Sequence, residues 1–288
     1  MRDLNYQIKQ ICQRNRDGSI ATQSNRERIL TQSANRLHDL GYSLQDVHSL
    51  KPKHVQAVVK SWHDEGLSVG TIKNRLAELR WLAQKINKQN IIPKDNARLG
   101  IEDRQFATNQ SKARTLTDSD LAKVADAHSA MSLRLQAAFG LRREESIKII
   151  PSWADRGDRL ALRDTWTKGG RARSVPIRTA AQRAVLDAAK ALAGRGSLIP
   201  ADKNYVQQLR RFEYQRNRSG IHKVHGHRHF YAQQRYEQLT GWRCPACGGP
   251  TAKQLTPSQK SRDTAARVVI SRELGHERIS ITVIYLGH

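Results

Sequence analysis

Apolar residues recur three and four positions apart through residues 1–90, and that period decides what the segment can become. Leu4, Ile8, Ile11 and Cys12 share one helix face, and Ile29, Leu30, Ser33 and Leu37 share another ahead of Gly41, a helix-stop signal. Val55, Val58, Val59 and Trp62 follow Pro52; Ile72, Leu76, Leu79, Leu82 and Ile86 follow Ser68, a candidate N-cap. Four such stripes predict a four-helix bundle with Cys12 in its core.

Charge narrows the partner. The 288 residues carry 50 Lys and Arg against 26 Asp and Glu, a formal net charge of +24. So large a surplus repels itself in a compact fold unless a polyanion shares the field. Nucleic acid is the first candidate and an acidic membrane surface the second. No stretch approaches the roughly 20 apolar residues that cross a bilayer, and MRDLNYQIKQICQRNRDG lacks the apolar run of a secretory leader. Three cysteines, Cys12, Cys244 and Cys247, make no disulfide framework. These features lead us to expect a cytoplasmic protein with no membrane partner. On the last of the four helices Lys73, Arg75, Arg80 and Lys85 form the polar side. Such a run is either a solvated face or a set of phosphate contacts, and the chain-wide surplus favours DNA binding.

From Asn87 to Arg114 the apolar period is lost and Pro93 and Gly100 interrupt the chain, so residues 91–115 read as a linker between domains. A second domain, 116–288, opens on Thr117 and Asp120 at capping-box spacing. Helices follow, one with Leu121 and Val124, the next through Leu133, Leu135 and Phe139. Between Leu160 and Ile177 the period changes to that of extended chain around Lys168-Gly-Gly, which reads as a β-hairpin with Lys168 at its lip. Helical spacing returns with Ala181, Val185, Leu186 and Leu192, then with Tyr205, Val206, Leu209 and Phe212. The chain is mainly α with a small β-sheet.

Three clusters carry chemistry: GLRREES at 140–146, HGHRHF at 225–230 and LGHERISITVIY at 274–285. Each alone has a bland explanation in surface cations, hydrogen-bonded histidines or a half-buried tyrosine. In order, residue type and spacing, together with TKGGRARSVPI, they resemble the signature of the tyrosine recombinases, the phage-type integrases and their relatives. Gly-Leu-Arg142 with Glu145 looks like the first arginine box and Lys168 like the hairpin lysine. His225-Gly-His-Arg228-His229 is similar to the second box, and Leu274-Gly-His276 with Tyr285 to the last. Arg143 and His227 adjoin these positions without matching them. The resemblance implies a SAM-like helical core-binding domain over 1–90 and an α+β catalytic domain over 116–288.

The implied chemistry asks for these residue types. Displacement at a phosphodiester places charge on the non-bridging oxygens, and the planar fork of arginine donates to two of them while keeping its proton. Arg142 and Arg228 are expected to clamp one phosphate from both sides. A phenol with a pKa near 10 is a poor nucleophile until its neighbours help remove the proton. Tyr285 would attack, Lys168 would protonate the leaving 5′-hydroxyl, and His225 and His276 would donate to the phosphate or exchange protons with Tyr285. Glu145 reads either as an orienting group for Arg142 or as an ordinary surface pair one turn away. Such a mechanism needs no metal ion and no cofactor. The partners implied are double-stranded DNA attachment sites, a homo-tetramer on that DNA, and an accessory DNA-bending or directionality protein.

Two features depart from the pattern. Between Arg228 and His276 lies an insertion, around 241–263, holding Cys244-Pro-Ala-Cys247-Gly-Gly. The pair reads either as half of a zinc knuckle, short of ligands, or as a reduced solvent-facing turn in a loop that touches DNA or a partner. Only Leu286, Gly287 and His288 follow Tyr285. Either subunits communicate by other contacts or the tyrosine segment is mobile. Rival functions are a type IB topoisomerase with the same chemistry, a basic DNA-binding protein whose boxes do not catalyse, and a zinc-dependent binding module.

Overall fold

A computed structural model describes residues 3–288, and the chain divides into two compact units after Gln105. In the first, α1 (Asp3–Arg14), α2 (Ile20–Asp39), α3 (Pro52–Asp64) and α4 (Val69–Lys85) pack the predicted stripes together. Ser19 and Ser68 cap α2 and α4 by accepting hydrogen bonds from Thr22 and Thr71 backbone N–H groups, and Pro52 opens α3. Leu30, Ile72 and Leu76 are fully buried. Cys12 lies in this core, where burial pushes its thiol up to about 11.

The expected linker is corrected. Residues Ile91, Ile92, Leu99 and Ile101 are buried in the first unit's core, held by 3-10 turns at Gln89–Ile91 and Ala97–Leu99. From Asn109 onward the segment is bonded to the second unit: Ser111 Oγ donates to Gln233 Oε1 and Arg114 N–H to the Gly226 carbonyl. Four apolar side chains suffice to pin a stretch that has no helical period, which is why composition read it as a free tether.

The second unit begins with α5 (Asp118–Ala122), which carries the Thr117/Asp120 capping box, and α6 (Ala127–Phe139). It continues through α7 (Arg143–Lys148), α8 (Pro151–Ala154) and the hairpin β1 (Arg159–Leu162) and β2 (Arg173–Pro176). Then come α9 (Ala180–Ala193), α10 (Tyr205–Arg218), α11 (His225–Thr240), α12 (Pro257–Glu273) and the short α13 (Val283–Leu286). Leu135 and Phe139 on α6, Leu160 and Val175 on the hairpin, Leu186 on α9 and Ala232 on α11 meet in the main core. Leu133 turns the other way, into a smaller cluster with Phe212 of α10. Val206 belongs to neither: it is 50% exposed, because α10 turns Gln208, Phe212 and Gln215 inward.

The strands pair antiparallel, with Leu160 opposite Val175 and Leu162 opposite Arg173. At the tip Thr167 Oγ1 donates to the Arg171 carbonyl (2.6 Å) and accepts from its N–H (2.9 Å), closing the Gly169-Gly170 turn. Among the described residues no helix is long and apolar enough to cross a membrane.

Candidate active site

Gly140 ends α6 in the left-handed region, φ +60°, and a Cβ there would lie 2.8 Å from the Tyr231 ring. Only glycine meets both demands, and the turn it permits places Arg142 at the start of α7. Arg142 donates from Nη1 to Glu145 Oε1 (2.8 Å) and from its backbone N–H to Oε2 (2.7 Å). Its Nη2 lies 3.5 Å from the Gly275 carbonyl, and a fifth of the side chain faces solvent.

Glu145 is no surface pair. Its side chain is fully buried, and both oxygens also accept from Arg173, at 2.8 and 2.6 Å. Burial alone would raise this carboxyl. The hydrogen bonds and charge of Arg173, then Arg142, outweigh it and hold the group at about 2. A carboxyl depressed from 4.5 to about 2 contributes stability that is complete above about pH 4.5 and lost as the pH falls through 2. The contribution is about 3 kcal/mol. Urea unfolding at pH 6 and pH 3 should therefore show the wild type losing about 2 kcal/mol more than Glu145→Gln, because pH 3 still lies above the folded-state value. Parallel losses would refute it.

Arg228, in the first turn of α11, is 1% exposed. Nη1 donates to the Gly140 carbonyl (2.6 Å), Nη2 to the Leu274 carbonyl, and Nε to the Tyr285 hydroxyl (3.2 Å). Burial, with Arg142 and Arg173 nearby, pulls the guanidinium down to about 10, so it stays charged at neutral pH. Both box arginines thus reach one loop through the adjacent carbonyls of Leu274 and Gly275. The two arginines differ in setting: protein acceptors surround Arg228, and Arg142 is the one that faces solvent. Carbonyl oxygens at the ends of α6 and α12 have no helical partner, and the buried guanidinium satisfies them.

Tyr285, on α13, is 4% exposed. Besides accepting from Arg228, its hydroxyl lies 3.2 Å from His276 Nε2, which is itself 3.3 Å from Arg228 Nη2. Burial first, then Arg228, Arg142 and Arg173, depress His276 to about 3, so it is neutral at pH 7. His229, which the sequence reading left outside the site, packs its ring 4.7 Å from that of Tyr285 and is held at about 4, chiefly by burial. His225 stays exposed at the rim, its ring 6.0 Å from Tyr285 and its imidazole depressed by desolvation and both box arginines. His227 is structural, Nδ1 lying 2.9 Å from the Arg114 carbonyl, and Arg143 pairs with Glu213. Lys168 is exposed at the hairpin tip without hydrogen bond or ion pair among the described residues, while Arg171 of the same tip pairs with Glu277, the neighbour of His276.

The insertion takes a role that neither reading foresaw. Cys244 is buried in the main core, and the Pro245–Cys247 turn packs against α13. Cys247 Sγ donates to Gln233 Oε1 (3.1 Å), while Gln233 Nε2 donates to the Tyr285 carbonyl (2.9 Å). Arg267 holds the Gly287 carbonyl and Asn109 accepts from His288 N–H, so the tyrosine segment is docked on its own chain. No third metal-ligating side chain joins the two thiols among the described residues, and the core position of Cys244 replaces both the zinc knuckle and the solvent-facing turn.

In the first unit the four cations of α4 all have protein partners. Lys73 pairs with Asp103, Lys85 with Asp17, and Arg75 lies 5.6 Å from the centre of the Trp62 ring. Arg80 anchors the following loop: its Nη2 donates to the Pro93 carbonyl and Asn96 Oδ1, both at 2.8 Å, because the polar 93–96 loop needs donors for its acceptors.

A family model described as "Phage integrase, N-terminal" matches residues 1–92, and one described as "Integrase" matches residues 104–234. The chain belongs to the phage integrase family of tyrosine recombinases. As a family member it is an enzyme of DNA strand cleavage and transfer. A lambda integrase dimer bound to a COC′ core site shares the fold, with TM-score 0.63 at 15% identity over 98% of this chain and 75% of that one. XerH recombinase bound to palindromic difH substrate gives 0.59 at 15% identity over 98% and 80%. The Tn1549 transposon integrase in complex with circular intermediate DNA gives 0.55 at 15% over 100% and 96%. No curated protein sequence matches the chain.

Proposed function

We propose that this integrase is a site-specific DNA recombinase that integrates or excises a mobile element, with Tyr285 as nucleophile. The observation that carries the reading is the Tyr285 hydroxyl held at 3.2 Å from both a buried guanidinium and a neutral imidazole. The Tyr285 oxygen forms a bond to phosphorus, its proton passes to His276 Nε2, and Arg228 Nε takes up the negative charge that develops on the oxygen. Arg142, with its solvent-facing edge, receives the non-bridging oxygens. The bond from phosphorus to the 5′ oxygen breaks, and Lys168 supplies the proton once the hairpin closes on the DNA. Attack by another 5′-hydroxyl on the 3′-phosphotyrosyl ester then reseals a new junction.

The partners are duplex attachment sites and three further copies of the chain. A lambda integrase tetramer bound to a Holliday junction, with TM-score 0.57, supports that assembly, and an accessory bending or directionality protein is part of the same proposal. A cytoplasmic location follows from the DNA substrate. The test is a nicked suicide duplex carrying the attachment site: a covalent adduct supports the reading, and its absence refutes it. Relaxation of supercoiled DNA lacking any such site would favour a topoisomerase instead. With a net charge of +24, affinity for duplex DNA should fall roughly a thousandfold or more between about 50 and 200 mM salt. A flat response in a binding titration would contradict the electrostatic part of the proposal.

A further inference from the structure

Arg173 lies two residues before Val175 on β2, inside the TKGGRARSVPI segment, and the resemblance gives it no role. Its side chain is 7% exposed, and every nitrogen has a protein acceptor: Nη1 and Nη2 take the two Glu145 oxygens, and Nε takes the Glu273 carbonyl at 3.0 Å. Gly275, at φ +65°, lies directly against it; a Cβ there would be 2.8 Å from Arg173 Cδ. The residue therefore joins the hairpin to the first arginine box and to the His276 loop. Three of its five N–H donors are taken and its side chain is 7% exposed, so it is engaged with protein and turned away from solvent.

We infer that Arg173 is a positioning residue of strand cleavage: by neutralising the buried Glu145 carboxylate it leaves Arg142 anchored by that carboxylate yet positive toward DNA. Arg142 and Glu145 alone sum to zero charge, and an ion pair of that kind attracts a phosphate weakly. Two guanidiniums on one carboxylate leave one positive charge, carried by Arg142 because Arg173 is shut away from solvent. Only a fork that takes both carboxylate oxygens can do this without pulling Glu145 off the Arg142 backbone N–H.

The inference rests on the recombinase reading, so the experiment has two readouts. The first is single-turnover cleavage of the suicide duplex. Arg173→Gln should slow adduct formation about a hundredfold with DNA affinity within about twofold, because both Glu145 oxygens then draw on Arg142. Arg173→Lys, which keeps the charge and loses the fork, should lie between. Adding Glu145→Gln to Arg173→Gln removes the uncompensated carboxylate and should restore at least tenfold. A double variant as slow as Arg173→Gln alone would overturn the inference, since a merely structural arginine gains nothing from loss of its partner's charge.

The second readout needs no DNA. In Arg173→Gln the Glu145 carboxyl loses the partner that depresses it most, so the loss of stability on acidification should be smaller than in the wild type, and in the double variant the Glu145 component should be absent. An unchanged acid limb overturns the inference. Failure of wild-type protein to form an adduct, with the acid limb shifted as expected, would instead locate the error in the recombinase reading.

Discussion

Tyr285→Phe is expected to abolish the covalent protein–DNA adduct while leaving the fold and the affinity for duplex DNA close to wild type. The ring is what packs: the residue is 4% exposed and its ring lies tilted at 4.7 Å from that of His229, and phenylalanine keeps all of it. The hydroxyl is the proposed nucleophile, and its loss removes the oxygen placed on Arg228 Nε and His276 Nε2. Arg228 retains the Gly140 and Leu274 carbonyls, so the cost in stability should be about 1 kcal/mol. A denaturing gel of the suicide reaction reads the adduct, and a melting curve reads the fold. An adduct that survived the substitution would place the nucleophile elsewhere and remove the basis of the proposed chemistry.

Arg228→Ala should do more than slow cleavage. Sequence reasoning treats this residue as a phosphate ligand whose loss costs rate and leaves DNA affinity nearly intact. In the structure it is a buried cation bridging the ends of α6 and α12 and the nucleophile. Removing it leaves the Gly140 and Leu274 carbonyls without their donor and opens a cavity of arginine size beside Tyr285, so unfolding free energy should fall by about 3–5 kcal/mol. Adduct formation should drop by at least a thousandfold. Arg142→Ala offers the contrast, because its side chain reaches solvent: a large loss of rate with a smaller loss of stability. If chemical denaturation finds Arg228→Ala no less stable than Arg142→Ala, the structural role assigned to Arg228 is wrong.

The same contrast shows how far sequence reasoning reached. It gathered Arg142, Arg228, His276 and Tyr285 by order and spacing, and the fold brings those four side chains around one loop. It passed over Arg173 although the signal was present: alternation along β2 puts Arg173 on the face of Val175, which is fully buried. An arginine at an inward strand position requires a buried partner, and Glu145 is the acid that meets it. Gln233 gave no such signal, because its bonds to Ser111, Cys247 and the Tyr285 carbonyl join segments 14 to 122 residues apart. Nor did Arg80, whose acceptors are loop carbonyls that a helical wheel does not display.

What the sequence determined by itself was whatever depends on neighbours along the chain. Helical stripes, caps, the Gly-Gly hairpin tip and the sign of the net charge are local or additive, and each is legible without coordinates. Burial and pairing across the fold decided the rest. Whether Glu145 is a surface acid or the buried anchor of two arginines, whether Arg228 faces DNA or the ends of two helices, and whether a Cys-x-x-Cys turn binds metal or seats the tyrosine segment all turn on contacts between distant segments. Desolvation and hydrogen bonding at such contacts fix the charge state and direction of each group, and neither quantity exists until the chain has folded.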